Sequence, residues 1–305
     1  MAGPDLSPEA RAFIESYIRD DSPTDFSRIV QIRNEVQEMS APSAERAIVR
    51  HALDREEIVI NGVECERVRS RNSGLSQGTL VYLFGGGFSV GCPYSDLAII
   101  GALAQWCQVE VIAPKYRLAP EHPAPAAADD CLAVWRQVSS KSTESLLLAG
   151  ESAGGNLAVL LAQRALSEGM RIPDAMGLMS PAVDLRTDPG LREPTTNADP
   201  TLSPNRVLEV ISTYGSNRDP ADPSISPLFG LLEGLPPTFI TTGTRDMLLS
   251  MCLRLDRQMR RAGVEVECRV WDGLWHVFEY YDGFPEAEES LREIAAFLND
   301  KKVTG

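Results

Sequence analysis

Short apolar runs and helix-length amphipathic segments alternate along most of the chain. The first strand signal is a hairpin, in which Asn61-Gly62 separates two short runs. The apolar runs predict strands at 57–61, 63–69, 79–84, 109–116, 145–150, 175–180, 237–243 and 265–271. The longer segments predict helices at 95–108, 126–138, 153–167, 250–262 and 285–299.

The order of these elements predicts how the strands pair. Strands that are buried on both faces read as continuous runs of β-branched residues and leucine. Long crossovers between such strands imply parallel pairing with right-handed connections. The pattern therefore predicts an α/β fold, with a mostly parallel sheet of eight strands covered by helices on both faces and led by an antiparallel hairpin.

Two regions lie outside this alternation. Residues 1–45 predict amphipathic helices, with helix starts at Ser7-Pro8-Glu9 and at Asp25. Residues 185–235 are rich in proline, aspartate and asparagine and predict one helix at 204–214. An insertion of this length inside an α/β core usually covers a site rather than supporting the sheet. We expect both regions to form a helical cap over a catalytic core that spans residues 46–300.

Composition narrows the class of protein and its compartment. The 305 residues are 43% hydrophobic and 24% charged, as in ordinary globular chains. The formal net charge of −14 disfavours nucleic acid and anionic lipid as partners, because both are negatively charged. The six cysteines are scattered without zinc-ligand spacing, and neither a membrane span nor a secretory signal is recognisable. We expect a cytoplasmic protein that needs no metal.

The segment around Ser152 carries the strongest chemical signal. Gly150-Glu-Ser152-Ala-Gly154 has the G-x-S-x-G pattern, and it follows a predicted strand and precedes a predicted helix. A serine in this context sits on a sharp turn, where small flanking residues let the backbone fold around it. The turn places the hydroxyl at the N-terminus of a helix, whose dipole favours developing negative charge. Ser152 is therefore predicted to be a nucleophile.

A glycine run, Gly85-Gly86-Gly87, follows an earlier predicted strand. It is not a dinucleotide-binding loop, because Val90 occupies the position of that motif's third glycine, and no lysine follows as in a P-loop. What remains is a loop whose N–H groups can approach a ligand closely. An oxyanion hole requires donors of this kind where charge develops on a carbonyl oxygen.

Three motifs together carry a resemblance to a known family. They are, in chain order, Gly85-Gly86-Gly87-Phe88, Tyr116-Arg-Leu-Ala-Pro-Glu-His-Pro123 and Gly150-Glu-Ser-Ala-Gly-Gly-Asn156. From about residue 50 to 300, the chain resembles the hormone-sensitive lipase family of α/β-hydrolases, which are mostly microbial carboxylesterases with a helical cap. The resemblance implies an oxyanion hole made by the amides of Gly86, Gly87 and Ala153. The family usually has histidine where this chain has Phe84, so we expect Phe84 to anchor the loop by packing instead.

Chain order identifies the general base. In α/β-hydrolases the nucleophile comes first, the acid second and the histidine last. The chain has three histidines, and two of them, His51 and His122, precede Ser152. His276 alone satisfies the order, and it lies just after the last predicted strand. We therefore predict His276 as the base and a structural role for His122.

The acid is less restricted by the sequence. It should lie just after the last residue of a strand, and its carboxylate should accept a hydrogen bond from Nδ1–H of the base. Asp246 follows the strand before last and matches the family's position for the acid. Asp184, just after an earlier strand, and Asp272, in the same loop as His276, remain alternatives. We favour Asp246.

These residues predict a serine carboxylesterase that acts on a small-molecule ester through an acyl-enzyme, without any cofactor. The resemblance implies short- to medium-chain acyl groups. Aromatic residues near or in the cap, Phe88, Tyr214 and Phe229, together with Leu231, either line the substrate pocket or belong to the core. Alternatives are an amidase or deacetylase with the same triad, and a non-catalytic small-molecule receptor. Family members often dimerise through the edge of the last strand, here near residues 264–270, so a homodimer is possible.

Overall fold

Eight strands form one sheet at the centre of the protein. The computed structural model describes residues 6–74, 76–186 and 198–302. Its strands are β1 (Leu53–Ile60), β2 (Val63–Ser70), β3 (Gly78–Leu83), β4 (Glu110–Pro114), β5 (Ser145–Glu151), β6 (Ala175–Met179), β7 (Thr238–Gly243) and β8 (Val266–Trp271). Each strand corresponds to one predicted apolar run, although the ends differ by a few residues.

The sheet has the order β1-β2-β4-β3-β5-β6-β7-β8. β2 is antiparallel to both neighbours, β1 and β4, and all pairs from β4–β3 to β7–β8 are parallel. Every residue of β5 and β7 is buried, whereas the edge strand β8 is partly exposed. The predicted α/β fold is confirmed, and the continuous apolar runs belong to strands that are covered on both faces.

Helices cover the two faces of this sheet. They are α1 (Pro8–Ser16), α2 (Ile29–Arg50), α3 (Leu97–Trp106), α4 (Ala126–Lys141), α5 (Ala153–Ser167), α6 (Pro204–Tyr214), α7 (Leu249–Arg261) and α8 (Pro285–Asp300). α3 packs against α8, and α4 packs against α5. Neighbouring residues of β4 point to opposite faces, so that Ile112 meets Val134 of α4 while Val111 joins the cluster that contains α3.

The N-terminal segment packs on the loop that follows β8. Ser7 caps α1 by accepting a hydrogen bond from the amide of Ala10. Phe13 of α1 stacks on Trp275, with ring centroids 4.6 Å apart. Because Trp275 directly precedes His276, α1 supports the loop that carries the predicted base.

Helix α2 begins after a short 3₁₀ turn (Phe26–Arg28), which Asp25 caps as predicted, and it runs past residue 45. Contacts with α6 then join the N-terminal segment to the insertion. The amide of Thr24 donates to Glu209 Oε1 at 2.7 Å, and Arg206 donates to the Thr24 hydroxyl. Residues 187–197 of the predicted insertion lie outside the described residues. Among the helices that are described, none is both long and apolar enough to cross a bilayer.

Candidate active site

Ser152 occupies a strained turn between β5 and α5. Its backbone has φ 51° and ψ −115°, which a residue with a Cβ rarely adopts. A Cβ on Gly150 would lie 2.5 Å from the carbonyl oxygen of Gly154, and a Cβ on Gly154 would overlap the carbonyl oxygen of Leu83. The two glycines of the motif are therefore required by close backbone packing around the turn, which lifts the Ser152 side chain out of the buried strand.

The predicted nucleophile, base and acid lie in one hydrogen-bonded row. Ser152 Oγ is 2.9 Å from His276 Nε2, and His276 Nδ1 is 3.1 Å from Asp246 Oδ1. An ionised carboxylate can only accept, so Nδ1 carries the ring proton and Nε2 is left to accept the Ser152 hydroxyl proton. This is the tautomer that a general base requires.

Neighbouring groups keep Asp246 ionised despite its complete burial. Burial alone raises the pKa of the Asp246 carboxyl, but His276 and hydrogen bonds from His276, Ser180 and the amide of Leu248 outweigh it and lower the pKa. Thr242 also donates to Asp246 Oδ2, at 2.8 Å. The carboxylate therefore offers the ring of His276 a fixed negative charge.

The remaining candidates from the sequence have other partners. Asp184 pairs with Arg186 at 2.9 Å and with Arg254, and Asp272 accepts a hydrogen bond from Thr244 at 3.1 Å. His51 Nδ1 contacts the side chain of Gln105 at 2.8 Å, far along the chain from Ser152. His122 is exposed, and its amide donates to the carbonyl of Leu118 in a turn. None of these hydrogen bonds and ion pairs involves Ser152, His276 or Asp246.

Sequence reasoning missed one carboxylate beside this row, Asp199. Its Oδ2 accepts the backbone N–H of Met247 at 3.0 Å and of His276 at 3.3 Å, so it joins the acid loop to the base loop. Its Oδ1 accepts the amides of Thr201 and Leu202. Burial and the charge of Asp246 raise the pKa of the Asp199 carboxyl, but both of its oxygens only accept, which is the pattern of an ionised group. The Asp-Pro-Thr sequence could have predicted the local turn, but nothing in it points to His276.

Asp199 also changes the electrostatics of the base. Burial alone lowers the pKa of His276, but the charge and hydrogen bond of Asp246 and the charge of Asp199 raise it above its ordinary value. The backbone carbonyl of Asp199 accepts a hydrogen bond from Arg19 at 3.0 Å. The N-terminal segment therefore contacts Asp199, the residue that binds the backbone amide of His276.

We expect Asp199→Ala to lower kcat by about 10- to 100-fold, because the base and acid loops lose their common acceptor. It should also shift the acid limb of kcat/KM to lower pH, since one of the charges that raises the pKa of His276 is gone. A pH profile of ester hydrolysis measures both effects. Asp222→Ala is the control, because Asp222 accepts from the amide of Ser224 in a similar turn of the insertion. An unchanged kcat and an unchanged acid limb in Asp199→Ala would contradict this assignment.

The glycine loop lies beside the hydrogen-bonded row. Gly86 and Gly87 have φ of 94° and 61°, and a Cβ on Gly87 would be 2.6 Å from Val210 Cγ2 of α6. Phe84, at the start of the loop, is buried and stacks on Tyr116 with centroids 4.1 Å apart. The Tyr116 hydroxyl donates to the carbonyl of Phe84 at 2.6 Å. The expectation that Phe84 anchors the loop by packing is confirmed.

Ser152 and His276 open into a cavity of about 430 Å³, a volume typical of small-molecule sites. Gly86 and Gly87 form part of its wall. Apolar side chains from the N-terminal segment and the insertion form much of the rest, and they include Tyr17, Phe26, Ile29, Ile32, Val36, Leu202 and Val210.

Phe88, Tyr214 and Phe229, for which the sequence left both the pocket and the core open, are not in this wall. Phe88 and Tyr214 are fully buried and stack on each other with centroids 3.6 Å apart, which makes them core. Phe229 packs beneath the guanidinium of Arg186 at 4.6 Å. Leu231 is exposed to solvent and is likewise absent from the wall. Aromatic character alone does not say toward which side of the loop a ring points.

The described residues contain no group of three or more histidine, cysteine, aspartate or glutamate side chains that could hold a metal ion. The six cysteines are free thiols. Burial raises the pKa of five of them, Cys65, Cys107, Cys131, Cys252 and Cys268, which disfavours the reactive thiolate.

The fold and this site together define a serine hydrolase of the α/β-hydrolase class. A family described by the alpha/beta hydrolase fold matches residues 80–280. An esterase of Acinetobacter venetianus is 33% identical over 245 residues, which cover 79% of this chain and 80% of that protein. An acetyl-hydrolase of Streptomyces hygroscopicus is 33% identical over 224 residues, which cover 72% of this chain and 75% of that protein.

A solved structure narrows the class further. The crystal structure of an esterase from the bacterial hormone-sensitive lipase family is 26% identical to this chain, with a TM-score of 0.87 and a coverage of 99% of both chains. The chain belongs to the α/β-hydrolase family and, within it, to the hormone-sensitive lipase family of esterases. The resemblance seen in its three motifs is confirmed.

Proposed function

We propose that this protein is a serine carboxylesterase that hydrolyses short- to medium-chain esters of small molecules through an acyl-enzyme. The observation that carries the proposal is the continuous row from Ser152 through His276 to Asp246, with spacings of 2.9 and 3.1 Å, at the wall of a largely apolar cavity. The esterases among its relatives support it.

In the proposed mechanism, Ser152 Oγ attacks the ester carbonyl while its proton passes to His276 Nε2. The charge of Asp246 stabilises the imidazolium that forms. His276 then gives the proton to the departing alcohol. Water, activated by the same histidine, attacks the acyl-enzyme and releases the carboxylic acid. The reaction needs acid–base chemistry only, which these three side chains can supply.

We assign the oxyanion hole to the amides of Gly86, Gly87 and Ala153. Gly86 and Gly87 border the same cavity as Ser152, and Ala153 is the first residue of α5, where helix N–H groups lack intrahelical acceptors. Donors held in this way stabilise negative charge on the carbonyl oxygen of the tetrahedral intermediate. The close fit of Gly87 against Val210 and the stacking of Phe84 support a rigid loop.

The cavity and one relative support short acyl groups. The volume of about 430 Å³ is at the lower end for small-molecule sites and is shared between the acyl and alcohol parts of an ester. The relative from Streptomyces hygroscopicus is an acetyl-hydrolase. Residues 1–45 and 185–235 are proposed as the cap over the core at 46–300, since both segments contribute to the cavity wall.

A series of p-nitrophenyl esters from acetate to palmitate tests the function. We expect kcat/KM to be highest with acetate to hexanoate and to fall steeply for longer chains. The matched p-nitroanilides should react far more slowly, because an amine is a poorer leaving group than an alcohol. Ser152→Ala is the control for background hydrolysis. Equal turnover by wild type and Ser152→Ala, or faster turnover of the anilides, would overturn the proposal.

The pH dependence follows from the raised pKa of His276. The base must be neutral to accept a proton, so activity is lost as pH falls through its pKa. Because that pKa is raised above the ordinary value of 6.5, we expect the acid limit of kcat/KM to have its midpoint above pH 6.5. A steady-state profile from pH 5 to 9 measures this midpoint. A midpoint below 6.5 would show that burial outweighs the carboxylates.

We further propose a cytoplasmic homodimer that pairs along β8. β8 is the edge of the sheet, and Val270 within it is exposed, which leaves a strand edge available for pairing. The six free cysteines fit a reducing compartment. Light scattering of the wild type and of Val270→Lys separates dimer from monomer, and a wild-type monomer would contradict the pairing.

A further inference from the structure

Two acidic side chains lie side by side at the catalytic cavity. Asp96 ends a short 3₁₀ turn before α3, and Glu151 is the last residue of β5, directly before Ser152. They are 3% and 5% exposed, and both contribute to the cavity wall. Their carboxyl groups are in hydrogen-bond contact with each other. The mechanism described above gives neither group a role.

The pair touches the loop that carries the proposed oxyanion hole. A Cβ on Gly85 would overlap the carboxyl group of Glu151, so the first glycine of the loop is required by this carboxyl. The amide of Gly85 also donates toward the two carboxyl groups. Gly86 and Gly87 follow directly. The position of their amides therefore depends on the carboxyl pair that holds Gly85.

The groups that face the pair are tyrosines and one further acid. The Tyr82 hydroxyl donates to Asp96 Oδ2 at 2.8 Å. Tyr116, Tyr280 and Glu279 are the other titratable groups that interact with the pair. No lysine or arginine in the described ranges forms an ion pair with either carboxyl. Two buried carboxylates in contact, without a cation, repel each other so strongly that one keeps its proton.

The donors decide which carboxyl keeps the proton. Asp96 already receives the Tyr82 hydroxyl, so it is the better acceptor and Glu151 the better donor. Burial raises the pKa of Asp96 to about 7, and burial together with Asp96 raises the pKa of Glu151 well above its ordinary value. Both shifts agree with a protonated Glu151 at neutral pH.

We propose that Glu151 and Asp96 form a proton-sharing carboxyl pair that positions the oxyanion loop, with Glu151 as the donor and Asp96 as the acceptor. Both are positioning residues, because they act on the reaction through Gly85. The proposal rests on the proposed esterase function for its effect on catalysis. The shared proton itself can be tested without any substrate.

Two substitutions of Glu151 separate the hydrogen bond from the packing. In Glu151→Gln the amide keeps a donor for Asp96 and an acceptor for Gly85, so we expect kcat within about threefold of the wild type. In Glu151→Leu both contacts are lost, so we expect kcat to fall about 100-fold, comparable to the loss of one oxyanion donor, with KM changed less than about threefold. Thermal unfolding of both variants shows whether they fold. A Glu151→Gln variant as impaired as Glu151→Leu would overturn the proposal.

The alkaline side of the pH profile gives a second readout. When Glu151 finally loses its proton, the pair repels and the loop shifts, so kcat of the wild type should fall at high pH. Glu151→Gln has no such proton, and its kcat should stay level. If kcat of the wild type and kcat of Glu151→Gln fall equally at high pH, deprotonation of Glu151 is not the cause, and this result would contradict the proposal.

Infrared difference spectroscopy tests the proton directly. The wild type minus Glu151→Gln at pH 8 should show the carbonyl-stretch band of a protonated carboxylic acid. Glu279→Gln is the matched control, because it removes another buried glutamate. The carbonyl-stretch band assigned to Glu151 should remain in the spectrum of that variant. Absence of the band would overturn the proposal. If no ester is hydrolysed while the band is present, the proposed function fails and the proton-sharing pair stands.

Discussion

Replacing Ser152 by alanine should lower kcat for p-nitrophenyl acetate by about 10⁵-fold or more, because no other group can form the acyl-enzyme. KM should change little, since the cavity wall and the glycine loop are untouched. Burst kinetics offer a direct check, because the wild type can release one equivalent of p-nitrophenol before steady state, whereas Ser152→Ala cannot. Residual turnover within tenfold of the wild type would exclude Ser152 as the nucleophile.

The same position yields a prediction about stability. Ser152 keeps φ at 51° and ψ at −115° at a cost in backbone strain, which glycine would relieve because it has no Cβ. Ser152→Gly and Ser152→Ala both lose the hydroxyl and its hydrogen bond to His276. We therefore expect Ser152→Gly to be more stable than Ser152→Ala by about 1 kcal/mol, measured by urea unfolding. Equal stability of the two variants would mean that the turn is not strained.

The second large effect is expected for Asp246→Asn, which should lower kcat by about 10⁴-fold. The amide carries no charge to stabilise the imidazolium. If its NH₂ turns toward His276, it also forces the proton onto Nε2, where the base must accept one. The fold should survive, because an amide oxygen can still accept from Leu248 or Thr242. Kinetics at saturating ester, with a thermal unfolding curve, measure both claims.

Asp272→Asn is the matched control for this prediction. Asp272 was an alternative for the acid, lies in the loop of His276 and accepts one hydrogen bond, from Thr244. An amide oxygen can accept the same bond, so activity should remain within about twofold of the wild type. A large loss in Asp272→Asn together with a small one in Asp246→Asn would reverse the assignment of the acid.

Local patterns in the sequence predicted the elements and the turn around Ser152 well. The apolar residues 146–149 of β5 run straight into Gly150, so the backbone has little choice other than a tight turn into α5. His276 was identified because chain order and a short supply of histidines left no competitor. Such inferences succeed when the information lies within a few residues or in the order of the chain.

Long-range contacts explain what the sequence analysis missed. Asp199 reaches His276 across 77 positions of the chain, and its own neighbours encode only a local turn. Glu151 lies inside the G-x-S-x-G motif, yet its partner Asp96 lies on another element. The sequence left Phe88 and Tyr214 open between pocket and core, and it is their stacking on each other in the structure that assigns them to the core.

The sequence by itself determined the order of strands and helices, the sharp turn at Ser152 and the choice of His276, because periodicity, glycine spacing and chain order are local or one-dimensional properties. Tertiary structure alone decided which carboxylate meets His276, which side chains form the cavity wall and which buried acids share a proton. Those outcomes depend on the distances in space between groups that are far apart in the sequence. Burial then sets the strength of their electrostatic interactions.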